Sequence, residues 1–183
     1  SRGLGDVYKR QNRASLMIVA EAVLIASTYF ALTWILAPIS FLPFQVRFSD
    51  SLIMLSAVFG EAAAWGVFLG CIIANCFPVG YPPNIIDVAF GSLANLISGY
   101  VVMALTRRYS RVRLVAASLT SSLIVTIIVG TYLPIIILPK FTVKDILFLG
   151  YLGVLPGELV AQAVLGVWLV EGVRKLLPKT VGR

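Results

Sequence analysis

Histidine is absent from this sequence, and charged residues are scarce. Asp, Glu, Lys and Arg make up 13% of the 183 residues, whereas about 25% is usual for soluble domains. Without histidine, the chain offers no histidine-based acid–base catalysis, no histidine haem ligand and no zinc site of the HExxH kind. Apolar residues account for 59% and form long runs. The composition excludes a water-soluble enzyme and predicts an integral membrane protein.

Other kinds of chemistry are missing as well. The two cysteines, Cys71 and Cys76, are five residues apart and would lie on diverging faces of a helix, so we interpret them as core residues rather than as a disulfide or metal site. The sequence contains neither a G-x-x-x-x-G-K-[ST] phosphate loop nor a G-x-S-x-G motif. The polar residues therefore indicate binding rather than catalysis, and we expect no cofactor in this chain.

Apolar runs mark the predicted membrane spans, since each crossing requires about 20 residues. They cover 16–37, 51–77, 85–106, 114–138 and 143–177. Pro38 and Pro43 end the first run, and Gly60-Glu61 interrupts the second, which is either one helix or two. The last run is too long for one span, and Pro156 suits the first turn of a helix better than its interior. We therefore expect a short outer helix at 143–154, followed by a span from Pro156 to about Arg174.

The basic residues decide the number of spans, because Lys and Arg favour the cytoplasmic side. Twelve of the fifteen lie in three groups, in the N-terminal tail, in the loop 107–113 and at the C-terminus. These are Arg2, Lys9, Arg10 and Arg13; Arg107, Arg108, Arg111 and Arg113; and Arg174, Lys175, Lys179 and Arg183. Six spans place all three groups inside and leave Arg47, Lys140 and Lys144 outside, whereas five spans would place most basic residues outside. We predict six spans, with short or tilted helices at 51–60 and 61–77.

This count gives an all-α bundle of six transmembrane helices with both termini cytoplasmic. Residues 14–177 form its single domain, and the length leaves no room for a domain outside the membrane. Residues 1–13 are interpreted as a polar tail, the edge of a fragment or a non-native addition, and residues 178–183 as a short basic tail. A bilayer explains the net charge of +7, so no nucleic-acid partner is expected.

Polar residues collect at the predicted outer helix ends. They are Gln45, Arg47 and Asp50 before helix 2, Asn75 at the end of helix 3, Asn84 and Asp87 at the start of helix 4, and Glu158 after Pro156-Gly157 at the start of helix 6. A charge at membrane depth costs about 2.5–3.5 kcal/mol and usually faces a bundle interior or a cavity. The pattern predicts a pocket open to the outside.

Structural interpretations exist for several of these residues. Asn84 and Asp87 resemble a helix N-cap, with or without a ligand contact, and Arg47 and Asp50 could simply pair with each other. Thr142-x-x-Asp145 has the same cap pattern and is interpreted as structural. Glu158 shares a helix face with Gln162 and Gly166, which favours a ligand or ion role for that face.

Small residues repeat every fourth position on three predicted helices, a spacing that lets helices approach closely. The sets are Gly66, Gly70 and Ala74 on helix 3, Gly91, Asn95 and Gly99 on the Asp87 face of helix 4, and Ala22 and Ala26 on helix 1. Packing is the default interpretation for Gly66, Gly70 and Ser92. The helix 1 pair could serve internal packing or a partner's helix.

Four segments resemble successive signatures of the queuosine-precursor transporter (QueT) family. They are Pro43-Phe-Gln-Val-Arg-Phe-Ser-Asp50, Phe68-Leu-Gly-Cys-Ile-Ile-Ala-Asn75, Ile86-Asp-Val-Ala-Phe-Gly-Ser-Leu-Ala94 and Gly157-Glu158. The resemblance covers about residues 14–177. Asp50 stands where that family more often has Glu, and Asn95 stands where Thr is usual.

The resemblance implies a substrate-binding S component of an energy-coupling factor (ECF) transporter in the cell membrane. Such a chain has a six-helix S-component fold and captures a 7-deazaguanine, for example the aminomethyl or cyano precursor. It works with an ECF transmembrane coupling protein and two ATPase subunits, which use ATP. In S components an Ala-x-x-x-Ala face on helix 1 meets the coupling protein, and Ala22 and Ala26 stand where that face is expected.

The residues suit such a ligand chemically. One carboxylate can accept the ring N–H and the amino group of a guanine-like edge, and Glu158 is the candidate. Asp87 would balance a cationic aminomethyl group, and Arg47 or Asn75 would donate to the ring carbonyl. Phe44, Phe48 or Tyr81 would form the wall of the pocket.

Two other functional classes fit the same residues. A stand-alone ion-coupled carrier would use Glu158 and Asp87 as titrating sites and would transport without ATP or partners. A structural membrane subunit would use its polar residues as contacts between helices and would bind no deazapurine.

Overall fold

The computed structural model describes residues 2–40, 46–80 and 82–177, and the side chains of these residues except 2–10, 39 and 40. Helices are the regular secondary structure of this part of the chain, and short loops connect them. Six helices are labelled α1 (Arg2–Ile35), α2 (Phe48–Phe59), α3 (Glu61–Cys76), α4 (Asp87–Leu105), α5 (Arg111–Ile137) and α6 (Val143–Leu176), and one turn of helix covers Ala37–Ser40. Gln45, Phe44, Tyr81 and the tail 178–183 lie outside the described residues.

Four helices are long and apolar enough to cross a membrane, namely α1 from Gln11 onward, α4, α5 and α6. The other two, α2 and α3, are apolar but have only 12 and 16 residues. At a rise of about 1.5–2 Å per residue, each reaches about 24 Å, less than the hydrocarbon thickness of about 30 Å. The chain is a multi-pass membrane protein, and six crossings remain a prediction.

The interruption at Gly60 separates two helices, as the sequence analysis concluded. Gly60 has φ +57° and ψ −129°, a conformation that side chains with a Cβ rarely adopt. Its N–H donates to the carbonyl of Ser56, which closes the last turn of α2. The chain reverses direction here, so α2 and α3 lie side by side.

Helix directions alternate through the bundle. Helices α1, α3 and α5 run one way, and α2, α4 and α6 run the other way. The neighbours that fix these directions are Ala22–Gly66 and Ala26–Gly70 for α1 and α3, Asp50–Asn95 and Gly60–Met103 for α2 and α4, Asp87–Tyr132 and Ser98–Ser121 for α4 and α5, and Thr131–Tyr151 and Arg111–Glu171 for α5 and α6. The loop 107–113 therefore lies at the same end as the end of α6, as the charge distribution predicted.

The course of helix α6 differs from the prediction. We expected Pro156 to begin a new span after a break at 154, but the helix continues through it from Val143 to Leu176. Proline removes one backbone hydrogen bond and crowds the preceding turn, and wider π-helical turns can absorb that disruption. Such turns occur on both sides, at Ile146–Tyr151 and Leu159–Gly166. Glu158 thus lies in the interior of a long helix rather than at its start.

Helix α1 also differs from the prediction. Its helical backbone begins at Arg2 rather than near 16, so the helix includes residues 2–13. The helix ends at Ile35, and Pro38 is the second residue of the short helical turn that follows, a position where proline fits. Every residue from 11 to 20 is exposed, so the packed part of α1 begins near Glu21.

The packed part of α1 lies directly against α3. A Cβ on Gly66 would lie 2.9 Å from the carbonyl oxygen of Ala22, and one on Gly70 would lie 2.7 Å from that of Ala26. The glycines thus allow the two backbones to touch, which confirms packing as their role. Ala26 is buried in this contact. Of the two interpretations of the alanine pair, the packing supports the internal one for Ala26.

Candidate functional site

A buried polar cluster occupies the interior between the start of α2, the first half of α4 and the middle of α6. A cavity of about 10 Å³ lies within it, near the minimum needed to hold one water molecule. The residues that line it are Arg47, Asp50, Gly91, Asn95, Val125, Val129 and Glu158. Three of the predicted binding residues, Arg47, Asp50 and Glu158, therefore meet at one cavity.

Asp50 is held by neutral donors from two helices. The hydroxyl of Tyr29 on α1 donates to its Oδ1 at 2.5 Å, and the amide nitrogen of Asn95 on α4 donates to the same oxygen at 3.2 Å. Asn95 also donates to the Tyr29 hydroxyl at 2.9 Å. Asp50 lies in the first turn of α2, where the helix dipole favours a carboxylate. These hydrogen bonds fix the Asp50 carboxyl group through uncharged donors.

Glu158 is held from its own helix and from α5. The side-chain nitrogen of Gln162 donates to its Oε2 at 2.7 Å, and the Ser121 hydroxyl donates to the side-chain amide oxygen of Gln162, Oε1. Ser122 donates to the backbone carbonyl of Glu158 at 3.1 Å. Glu158 and Gln162 do share one buried face with Gly166, as their spacing predicted. Gln162 positions the glutamate and does not line the cavity.

Asp87 and Asn75 form a second part of the cluster, beside the cavity. The Tyr132 hydroxyl on α5 donates to Oδ1 of Asp87 at 2.7 Å, and the amide nitrogen of Asn75 donates to the Asp87 backbone carbonyl at 3.1 Å. The Oδ1 of Asn75 is buried and has no hydrogen-bond partner. An orphaned buried acceptor of this kind is rare in proteins, so it is a candidate contact for a ligand donor.

Carboxyl groups outnumber cationic groups in the cluster. Asp50, Asp87 and Glu158 are each at least 93% buried, and Arg47 is the buried basic residue among the described residues. Arg47 interacts electrostatically with all three carboxyl groups. Its Nη1 also approaches the Cys71 sulfur at 3.9 Å, and Asn75 approaches the same sulfur at 3.6 Å. Cys71 is thus a buried residue, as expected, but at the edge of the polar cluster.

Gly91 lies where the two parts of the cluster meet. A Cβ added to it would lie 3.0 Å from the Tyr132 hydroxyl, 3.1 Å from the Asn75 amide nitrogen and 3.4 Å from Oδ1 of Asp87. It ends a π-helical turn, Asp87–Gly91, and a second such turn follows Glu158. Turns of this type are frequent at functional sites.

Some predicted residues lie away from the cavity. The Asn84 side chain accepts from the backbone N–H of Ile86 at 2.9 Å, which makes it the N-cap of the helix that contains α4. Thr142 and Asp145 likewise form a helix cap, since both the N–H and the hydroxyl of Thr142 donate to the carboxylate at 2.7 Å. Phe48 is half-buried and does not line the cavity, whose apolar wall consists of Val125 and Val129 on α5.

Sequence reasoning did not include three polar members of the cluster, Tyr29, Asn95 and Tyr132. The tyrosines stand in apolar runs, where an aromatic residue is normally interpreted as core or as part of the membrane-interface belt. Asn95 was included only among the small residues on the face of helix 4 that also carries Asp87. A signal for Tyr29 was its spacing from Ile25 and Thr33, which places all three on the buried face of α1.

Comparison with known proteins gives one match. A family model described as QueT transporter matches residues 19–175. No curated protein and no solved structure matches the chain. The matched region contains every described residue of the polar cluster.

Proposed function

The chain belongs to the QueT transporter family, and from this premise we propose that it is the substrate-binding component of an importer for a queuosine precursor of the 7-deazaguanine type. One structural observation supports the proposal most directly, the convergence of Arg47, Asp50, Asn95 and Glu158 on a single cavity inside the bundle. Buried polar groups at membrane depth are costly and usually belong to a substrate or ion pathway.

The proposed ligand offers matching groups. A guanine-like edge carries a ring N–H next to an amino group, and one carboxylate can accept both. Glu158 suits this role because its Oε2 is already oriented by Gln162. The ring carbonyl needs a donor, which Arg47 can supply, and Asn75 Oδ1 can accept from a ligand amino group.

The cavity must widen to admit a bicyclic ring. Its volume of about 10 Å³ is far below the about 300–1,000 Å³ of typical ligand pockets. Arg47 and Asp50 stand at the start of α2, which packs by Met54 and Ser51 against Gly166 of α6. We propose that ligand entry separates the start of α2 from α6, so that Asp50 and Glu158 move apart around the ligand.

A binding assay tests the proposal directly. Detergent-purified chain is titrated with 7-aminomethyl-7-deazaguanine, 7-cyano-7-deazaguanine and guanine, with riboflavin and thiamine as unrelated vitamins. We expect saturable binding of at least one deazaguanine and no binding of riboflavin or thiamine. Binding of no deazaguanine would refute the proposed ligand and would favour a structural subunit.

Transport is proposed to depend on a coupling protein and two ATPase subunits. Proteoliposomes that contain the chain with and without such a coupling complex separate this proposal from a stand-alone carrier. We expect uptake only with the complex and ATP. The buried carboxyl groups are the observation that favours the second candidate, an ion-coupled carrier. Uptake driven by an ion gradient alone, without ATP or partners, would select it.

The proposed orientation places the loop 107–113 in the cytoplasm and 78–84 outside. Single cysteines at Arg107 and Val79, both exposed, test it in a background that lacks Cys71 and Cys76. In intact cells an impermeant thiol reagent should label the cysteine at 79 and spare the one at 107. Labelling at 107 from outside would overturn the six-span topology.

A further inference from the structure

The carboxyl groups of Asp50 and Glu158 form a pair. Both residues line the same cavity, which is close to the size of a single water molecule, so their carboxyl groups lie near each other. The two residues lie on different helices, α2 and α6, so the fold and not the local sequence brings them together. Two buried carboxylates this close repel each other strongly, and such a pair can share one proton.

Neutral donors supply the hydrogen bonds that hold the pair. Asp50 receives hydrogen bonds from Tyr29 and Asn95, and Glu158 receives one from Gln162, all of them uncharged donors. The charged and titratable groups that face the pair are Tyr29 on α1, Arg47 before α2, Cys71 on α3, Asp87 on α4 and Tyr132 beside Asp87 on α5. Arg47 is the cation in this set, and it also faces Asp87. One positive charge therefore faces three carboxyl groups.

We propose that the Asp50–Glu158 pair holds one proton when no ligand is bound and exchanges that proton for the positive charge of a cationic ligand. The inference rests on the proposed function and adds that the site selects a cationic aminomethyl ligand over a neutral one. When a neutral deazaguanine binds, Glu158 accepts the purine edge and the pair keeps its proton. When the cationic ligand binds, both carboxyl groups are ionised and the proton leaves to solvent.

Two kinds of measurement test the exchange with ligand. Calorimetry in buffers of different ionisation enthalpy counts protons, and we expect release of about one proton with 7-aminomethyl-7-deazaguanine and none with the cyano analogue. The affinity for the aminomethyl ligand should rise with pH by up to about tenfold per unit while the pair titrates, and the affinity for the cyano analogue should stay constant. Equal pH dependence for both ligands would overturn the proposal.

The Asp50→Asn variant sharpens this test. An amide at this position can donate to Glu158, so the pair needs no shared proton. We expect the variant to release no proton and to lose its preference for the aminomethyl ligand. An Asp50→Asn protein that still releases a proton would show that the proton comes from another group.

The shared proton can also be detected without any ligand. A protonated carboxyl group absorbs in the infrared above the amide I band. We expect such a band in ligand-free protein, and we expect Asp50→Asn and Glu158→Gln each to remove or shift it. Glu171→Gln, which changes a partly exposed carboxylate at the other end of the bundle, should leave it unchanged. A missing band, or one that neither pair variant alters, would refute the pair. If neither deazaguanine binds, the proposed function fails, and this band still decides whether the pair shares a proton.

Discussion

The two ends of this bundle treat charge in opposite ways. Around Asp50, Asp87 and Glu158 the carboxyl groups are buried and meet mostly neutral donors. At the other end Arg111 pairs with Glu171 at 3.1 Å with the arginine 76% exposed, and Arg174 lies 3.6 Å from the ring centre of Tyr109. Exposed pairs contribute at most about 1 kcal/mol, whereas buried charges carry a large desolvation cost. We infer that the exposed end serves orientation and that the buried end serves binding.

The largest effect is expected from Glu158→Gln at the buried end, and the same Glu→Gln change at position 171 of the exposed end is its control. Glu158→Gln removes a charged acceptor from the cavity and should weaken deazaguanine binding by about 10- to 150-fold, since a charged hydrogen bond contributes about 1.5–3 kcal/mol. Glu171→Gln, its matched control, should leave the affinity unchanged. Both variants are compared by titration after a check of folding. Unchanged affinity in a folded Glu158→Gln protein would contradict the inference that the buried end serves binding.

The second prediction concerns the packing contact between α1 and α3, which lies between these two ends of the bundle. Ala26→Trp places a large ring against Gly70, and overpacking of this kind costs about 1–3 kcal/mol or more. We expect a lower unfolding temperature in detergent, with Ala31→Trp on the exposed face of α1 as a stable control. If Ala26→Trp instead folds and binds ligand normally but fails to co-purify with the ATPase complex, the pair Ala22 and Ala26 is a docking face, as its resemblance to S components implied.

The smallest effect is expected from a single methyl group. Gly91→Ala adds a Cβ about 3.0 Å from the Tyr132 hydroxyl, so the neighbouring polar groups must shift by a few tenths of an ångström. We expect binding weakened by about three- to tenfold, or about 1 kcal/mol. Gly172→Ala, near the end of α6, has nothing within 4 Å and should not change affinity. Equal affinities of the two variants would place Gly91 outside the site.

Sequence reasoning recovered most helices and part of the site. Glycine at position 60 marked the boundary between α2 and α3 because its backbone conformation is one that glycine adopts most readily. Pro156 was misleading, because proline usually ends a helix, but π-helical turns on both sides let α6 continue. Among the predicted residues, Arg47, Asp50 and Glu158 line the cavity and Asn84 caps a helix.

The sequence by itself determined that the chain is a membrane protein of apolar helices, because hydrophobic runs and the grouping of Lys and Arg are local properties that need no contacts. It also determined which polar residues stand within or beside apolar segments. Only the tertiary structure decided which of them meet. The cavity that Asp50 and Glu158 both line, and the hydrogen bonds that Tyr29 and Tyr132 donate to carboxylates, bring together residues on different helices. Such contacts depend on how the helices pack and turn, which the spacing along one helix does not encode.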